Sequence, residues 1–117
     1  MVGTAARQAP AGFVDLHAHI VPGVDDGPNT RAEALEMLSA ARSSGTAAIV
    51  ATPHMSFRYR HEPERAEEEI ERLQSQAPRG LYLFPGCEIE INDESLRALF
   101  ADPRRFTLNH SRYALVE

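Results

Sequence analysis

The sequence contains no lysine: its 12 basic residues other than histidine are all arginine. No lysine amine is there to form a Schiff base, and the arginine bias reads as genomic composition rather than function. Cysteine is nearly as scarce. Cys87 stands alone, so an intrachain disulfide is impossible and a small secreted scaffold held by bridges is excluded. Long apolar runs are missing too, since no stretch approaches the roughly 20 apolar residues of a membrane span. Residues 1–12 are small and polar, without the basic start and apolar run of a signal peptide. A cytoplasmic location is the default expectation. Nor is positive charge concentrated anywhere: 12 basic residues face 17 acidic ones for a formal charge of -5. Neither duplex DNA nor RNA is therefore an expected partner.

What is present is the composition of an ordinary soluble globular chain, and 117 residues make one domain the natural count. A disordered tail is expected over residues 1–12. Phe13 to Ile20 then alternates apolar and polar residues with the period of a strand, so Asp15, His17 and His19 share one face. Pro22, Gly23, Gly27 and Pro28 mark a loop. Thr30 with Glu33 forms a capping-box pattern, and Ala34, Met37, Leu38 and Ala41 line one face of a helix that should stop at Gly45. Thr46 to Thr52 is the nearly continuous apolar run of a buried parallel strand. A second loop leads to Pro63, which suits a first helical position, and Ala66, Ile70, Leu73 and Ala77 recur at helical spacing, leaving Glu67 to Glu71 as the solvated side. Leu81 to Phe84 reads as a third strand, followed by the alternating Glu88 to Ile91. Asn92 or Asp93 can cap a short helix carrying Leu96, Leu99 and Phe100, and Tyr113 to Val116 reads as a fourth strand. The alternation βαβαβαβ predicts an α/β fold with a parallel sheet.

In parallel α/β folds, functional groups gather where the carboxyl ends of the strands meet their loops. The ionisable residues fall there repeatedly. His17 and His19 end the first strand, His54 follows the second, Glu88 follows the third and Glu117 ends the fourth, with Asp25 and Asp26 in the first loop. Histidines at i and i+2 on a strand point the same way and can reach one cation without distortion. His-x-His alone is weak, but Asp26, His54 and Glu88 at equivalent strand ends turn it into a candidate site. A mixed imidazole and carboxylate set suits manganese, iron or zinc better than calcium or magnesium. Two or three such cations would activate a hydroxide at neutral pH and clamp a phosphoryl group, with no protein nucleophile required. Asp15 would serve best as the acceptor that orients a ligand histidine.

The residues at these positions resemble a known family. The run Asp15-Leu16-His17-Ala18-His19-Ile20-Val21-Pro22-Gly23-Val24-Asp25-Asp26-Gly27, then Ala51-Thr52-Pro53-His54, Pro85-Gly86-Cys87-Glu88-Ile89 and Tyr113-Ala114-Leu115-Val116-Glu117, is similar to the bacterial PHP (polymerase and histidinol phosphatase) protein-tyrosine phosphatases of capsule and exopolysaccharide synthesis. The likeness runs in register from Phe13 to Glu117. It implies the N-terminal half of a distorted (β/α)7 barrel with a cluster of two or three metal ions, usually manganese. It also implies a phosphorylated partner, the tyrosine kinase that regulates polysaccharide synthesis. By motif position His17, His19, Asp26, His54, Glu88 and Glu117 match metal ligands; Asp25 is the less favoured of the adjacent pair, and Glu90 shares a face with Glu88 without matching one. The family departs from this sequence in length: a full barrel runs to about 250 residues in the related eight-stranded case. Its later ligands, and most of its phosphate-binding arginines, have no counterpart in these 117 residues.

Cys87 does not fit a cysteine phosphatase, because the residue six positions on is Asp93 rather than arginine, and it reads as a buried small hydrophobe. Arg58 and Arg60, in the second loop, are candidate phosphate contacts. Tyr59 between them is expected to pack on its own domain, and His61 and His110 are expected at the surface. Three functions fit: a metal-dependent protein-tyrosine phosphatase, another PHP phosphoesterase acting on a small ester such as histidinol phosphate, or a catalytically incompetent fragment that binds metal and oligomerises. Open sheet edges make a homo-oligomer the expected state.

Overall fold

The protein is described by a computed structural model covering residues 11–117, so the expected tail lies outside the described residues except for Ala11 and Gly12. Six short strands and three helices follow in the order β1 (Phe13–Ala18), α1 (Arg31–Ser43), β2 (Thr46–Ala51), β3 (His54–Met55), α2 (Pro63–Gln76), β4 (Tyr82–Pro85), β5 (Glu88–Ile89), α3 (Asp93–Ala101) and β6 (Leu115–Val116). Two 3-10 turns, Pro103–Arg105 and Leu108–His110, separate α3 from β6.

Two three-stranded sheets result, ordered β1-β2-β4 and β3-β5-β6, with every pairing parallel. Alternating strands and helices with parallel pairing are the α/β class expected. The count differs from the expected four strands, and proline explains the difference. Thr52 and Pro53 interrupt what would be one long second strand, and Gly86-Cys87, following Pro85 at the end of β4, does the same to the third. Proline has no N–H to give a ladder, yet the backbone stays bonded across each break. Thr52 N donates to Ala18 O at 2.8 Å and Glu88 N to Pro53 O at 2.9 Å. Taking β2 with β3 and β4 with β5 as two interrupted strands, each of the four strands thus lies beside the one that precedes it in sequence.

Thr30 caps α1, its hydroxyl accepting the Glu33 N–H at 3.2 Å, while the Glu33 carboxylate reaches back to the Asn29 N–H at 3.0 Å. The helix gives way at Gly45, whose φ of +100 is a left-handed value that glycine adopts without strain. Pro63 opens α2, and Asn92 rather than Asp93 caps α3, accepting from Ser95 N at 2.8 Å. One core packs α1 and α2 on the first sheet through Ala34, Leu38, Ile70 and Leu73 against Ile49, Leu81 and Leu83. A smaller one under α3 joins Met55, Cys87, Ile89 and Phe106. Met37 and Phe100, expected on buried faces, are exposed. Met37 borders the Ala34–Leu38 stripe, and the small second core is filled by Ala98 and Leu99 before Phe100 can reach it. Among the described residues no helix is long and apolar enough to cross a membrane.

Candidate metal centre

β1 ends where the first sheet stops, and the two histidines at its end turn toward β5. His17 Nε2 and His19 Nε2 each lie 3.0 Å from the same oxygen, Glu88 Oε1, and 3.3 Å from one another. Glu88 is placed there by β5, which pairs with β3 so that Glu88 stands opposite His54. The His54 ring approaches the same carboxylate oxygen with Nδ1 at 3.5 Å. Its Nε2 lies 3.2 Å from Asp26 Oδ1, and its Nδ1 is 3.9 Å from Glu117 Oε2. Glu117 is brought within reach by its own N–H, which donates to Ile89 O at 2.8 Å.

All six expected ligands are therefore gathered at one place. They form three overlapping groups: His17, His19 and Glu88; His19, Asp25, Asp26 and His54; and His54, Glu88 and Glu117. Within each group one donor atom per residue lies within 4.8 Å of the others. The donor chemistry fits a cation. Two imidazole nitrogens so close to each other and to one carboxylate oxygen can share few protons, and their remaining lone pairs converge on a common point. The mixed nitrogen and oxygen set again suits manganese, iron or zinc.

Burial alone would raise the Glu88 carboxyl, but the His17 ring, followed by His54 and His19, more than offsets it and holds the group below the usual range. Asp25 behaves the same way: burial opposes ionisation, and the N–H groups of His54 and Gly27 with the His19 ring prevail. An ionised pair of carboxylates among imidazoles is the state a metal requires.

Other expected residues fall differently. Asp15, expected to orient a histidine ring, is exposed, and its Oδ1 accepts the backbone N–H of His17 at 3.0 Å. The carboxylate that meets a ring is Asp25, at 3.0 Å from His19 Nδ1. The period of the strand carried no hint of this, because Asp25 reaches back from a loop six residues later. Glu90 instead ties loop to strand, accepting from Phe57 N at 2.7 Å and Asn92 Nδ2 at 2.9 Å. The Tyr59 ring stacks on His54 at 5.5 Å, opposite His19 at 4.4 Å, so three rings form one pile, and the Arg58 guanidinium lies 5.4 Å from the Tyr59 centroid. Arg60 lines a cleft of about 310 Å³ together with His54, His61 and Arg65. His61, expected at the surface, is half-buried with its ring edge-on to Phe106, and burial pushes its pKa down to about 4. His110 is exposed and pairs with Glu67. Cys87 is fully buried, donates to Phe106 O, and is pushed by burial up to about 12, which leaves the thiol inert.

Residues 13–117 match the family described as capsular polysaccharide synthesis, CpsB/CapC. The chain belongs to the CpsB/CapC family. CapC of Staphylococcus aureus is 37% identical over 109 residues, a match covering 90% of this chain and 42% of that protein. The tyrosine-protein phosphatase YwqE of Bacillus subtilis is 35% identical over 109 residues, again covering 90% and 42%. A solved structure from work on YwqE and on CpsB of Streptococcus pneumoniae, described as unique metal-dependent tyrosine phosphatases, superposes with a TM-score of 0.77 at 34% identity, covering 89% of this chain and 43% of that one. This CpsB/CapC chain thus spans less than half the length of the relatives it matches.

Proposed function

We propose that this chain is the N-terminal portion of a metal-dependent protein-tyrosine phosphatase acting in capsular or exopolysaccharide synthesis. One observation carries the reading: three imidazoles, from His17, His19 and His54, surround a single oxygen of Glu88 at 3.0 to 3.5 Å. In this reading residues 13–117 are the first half of a PHP-type barrel, whose strands succeed one another around the axis as the segments here succeed one another in the sheets. His17, His19 and Glu88 would hold one cation, His19, Asp26 and His54 a second, and His54, Glu88 and Glu117 a third, with manganese the preferred ion.

Bound divalent cations supply the electrophile and lower the pKa of water. The chain's own residues supply the rest. The His19–His54–Tyr59 pile forms a wall beside the ligands and keeps the His54 ring from rotating. Arg60, in the adjoining cleft, and Arg58, above Tyr59, offer guanidinium groups to a phosphoryl dianion. The substrate is a tyrosine-phosphorylated protein, and a tyrosine kinase regulating polysaccharide synthesis is the partner this reading favours. The location is cytoplasmic and the isolated chain is a homo-oligomer. The test measures release of phosphate from a phosphotyrosine peptide and from small phosphate esters across a manganese titration. Two lengths are compared, the 117-residue chain and the chain extended to a full barrel. Peptide turnover by the extended form, abolished by His17→Ala, is the expected result. Preference for a small ester such as histidinol phosphate would overturn the substrate, and no turnover at either length would leave a metal-binding fragment.

A further inference from the structure

The carboxylate of Asp25 is the most enclosed charged group beside the candidate centre. Its side chain is 1% exposed, and it meets three nitrogens, two of them backbone N–H donors. Oδ2 faces His19 Nδ1 at 3.0 Å and accepts the backbone N–H of His54 at 2.9 Å, while Oδ1 accepts the backbone N–H of Gly27 at 2.9 Å. Two donors fill the two lone pairs of Oδ2. β1 ends at Ala18, so no strand stands opposite His54 on that side, and Asp25 serves its N–H instead.

We infer that Asp25 is a positioning residue: it fixes His19 as the Nδ1–H tautomer with Nε2 free to bind metal, and it pins the backbone of His54 at the same oxygen. This rests on the metal-centre reading above. The consequence follows from geometry. A neutral imidazole has one donor and one acceptor nitrogen, and the partner of one decides the role of the other. With its Nδ1 proton directed to Asp25, His19 presents the Nε2 lone pair at the point shared with His17 Nε2 and Glu88 Oε1. His19 and His54 each belong to two of the three ligand groups, so a single buried carboxylate sets the posture of all three. The pattern in which a carboxylate holds a ligand histidine commonly changes metal affinity by about 10- to 100-fold.

The experiment compares wild type, Asp25→Asn and Asp26→Asn. Histidine ring ¹⁵N spectra of the metal-free proteins at pH 7.5 read the tautomer, and Zn²⁺ titration reads affinity. The expected result is an Nδ1–H tautomer for His19 in wild type and in Asp26→Asn. In Asp25→Asn that tautomer should be lost, with a drop in Zn²⁺ affinity of about 10- to 100-fold. Should Asp25→Asn bind Zn²⁺ as wild type does, or bind weakly with His19 still Nδ1–H, Asp25 would be a bystander or a direct ligand and the inference would be overturned. If Asp25→Asn does not fold, the spectrum of Glu88→Gln decides, since an Nε2–H tautomer that persists once the carboxylate 3.0 Å from Nε2 is neutralised is incompatible with the role. Absence of Zn²⁺ and Mn²⁺ binding by wild type would instead sink the metal-centre reading, leaving the tautomer result to stand or fall alone.

Discussion

A methyl group at Gly27 would meet the carbonyl oxygen of His19 at 2.7 Å and Asp25 Oδ1 at 3.1 Å. Backbone oxygen cannot yield as a flexible side chain can, so Gly27→Ala is expected to push the first loop away from β1 at a cost of about 1–3 kcal/mol. Thermal unfolding checks the cost, and a Mn²⁺ titration should show weakened binding alongside it. His61 allows a prediction in pH. Burial sets its folded pKa near 4, against 6.5 for the unperturbed ring, so the unfolded chain takes up the proton first. This ring costs nothing above about pH 6.5, an increasing amount as pH falls toward about 4, and a constant amount below. Urea unfolding of wild type and His61→Gln at pH 7.5 and pH 5 should show the variant gaining on wild type at the lower pH. An unchanged gap would mean the ring is solvated in the native state. Strand ends and residue chemistry made His17, His19, His54 and Glu88 legible in the sequence. The contact of Asp25 with the His19 ring was not, because Asp15 shares the strand's face while Asp25 arrives by a loop whose path no periodicity describes. His61 was missed for the opposite reason: lying outside any motif, it takes its burial from how α2 and Phe106 pack around it.

The helices followed their sequence signals closely, since caps and stripes are local. Thr30 and Asn92 open α1 and α3 by accepting a free N–H of the first turn, and Pro63 opens α2 as a residue with no N–H to leave unpaired. The strands were harder, because whether a run continues past a proline depends on which neighbour can bond across the gap. Ala18, bonded to Thr52, and Pro53, bonded to Glu88, supply that answer only once the chain is folded. Leu73 of α2 is fully buried between α2 and the first sheet. Leu73→Ala is expected to cost about 2–5 kcal/mol, because few flexible neighbours stand ready to fill the space. Denaturant midpoints with an unchanged slope would check it. Because Leu73 itself belongs to none of the ligand groups, metal affinity measured well below the unfolding transition should stay within a few-fold of wild type.

At the scale of the molecule, β1 is an edge strand whose Phe13, Val14 and Leu16 are 73%, 49% and 53% exposed. An open edge with apolar side chains invites another chain to pair. The 117-residue polypeptide alone is expected to sediment as a dimer or larger species, and Val14→Lys to shift it toward monomer. A monomer at high concentration in the unaltered chain would show that this edge is shielded. The same succession of segments that leaves β1 at the edge has a consequence in time. Because β2/β3 lies against β1, β4/β5 against β2/β3 and β6 against β5, a growing polypeptide needs no later partner to dock what has already left the ribosome, and layers can be added in the order they are made. The candidate ligands are dealt out along that same order. A nascent chain that has emerged through His54 holds three imidazoles but not Glu88, the carboxylate on which they converge, so the pocket acquires its anionic centre only when the third layer is laid down.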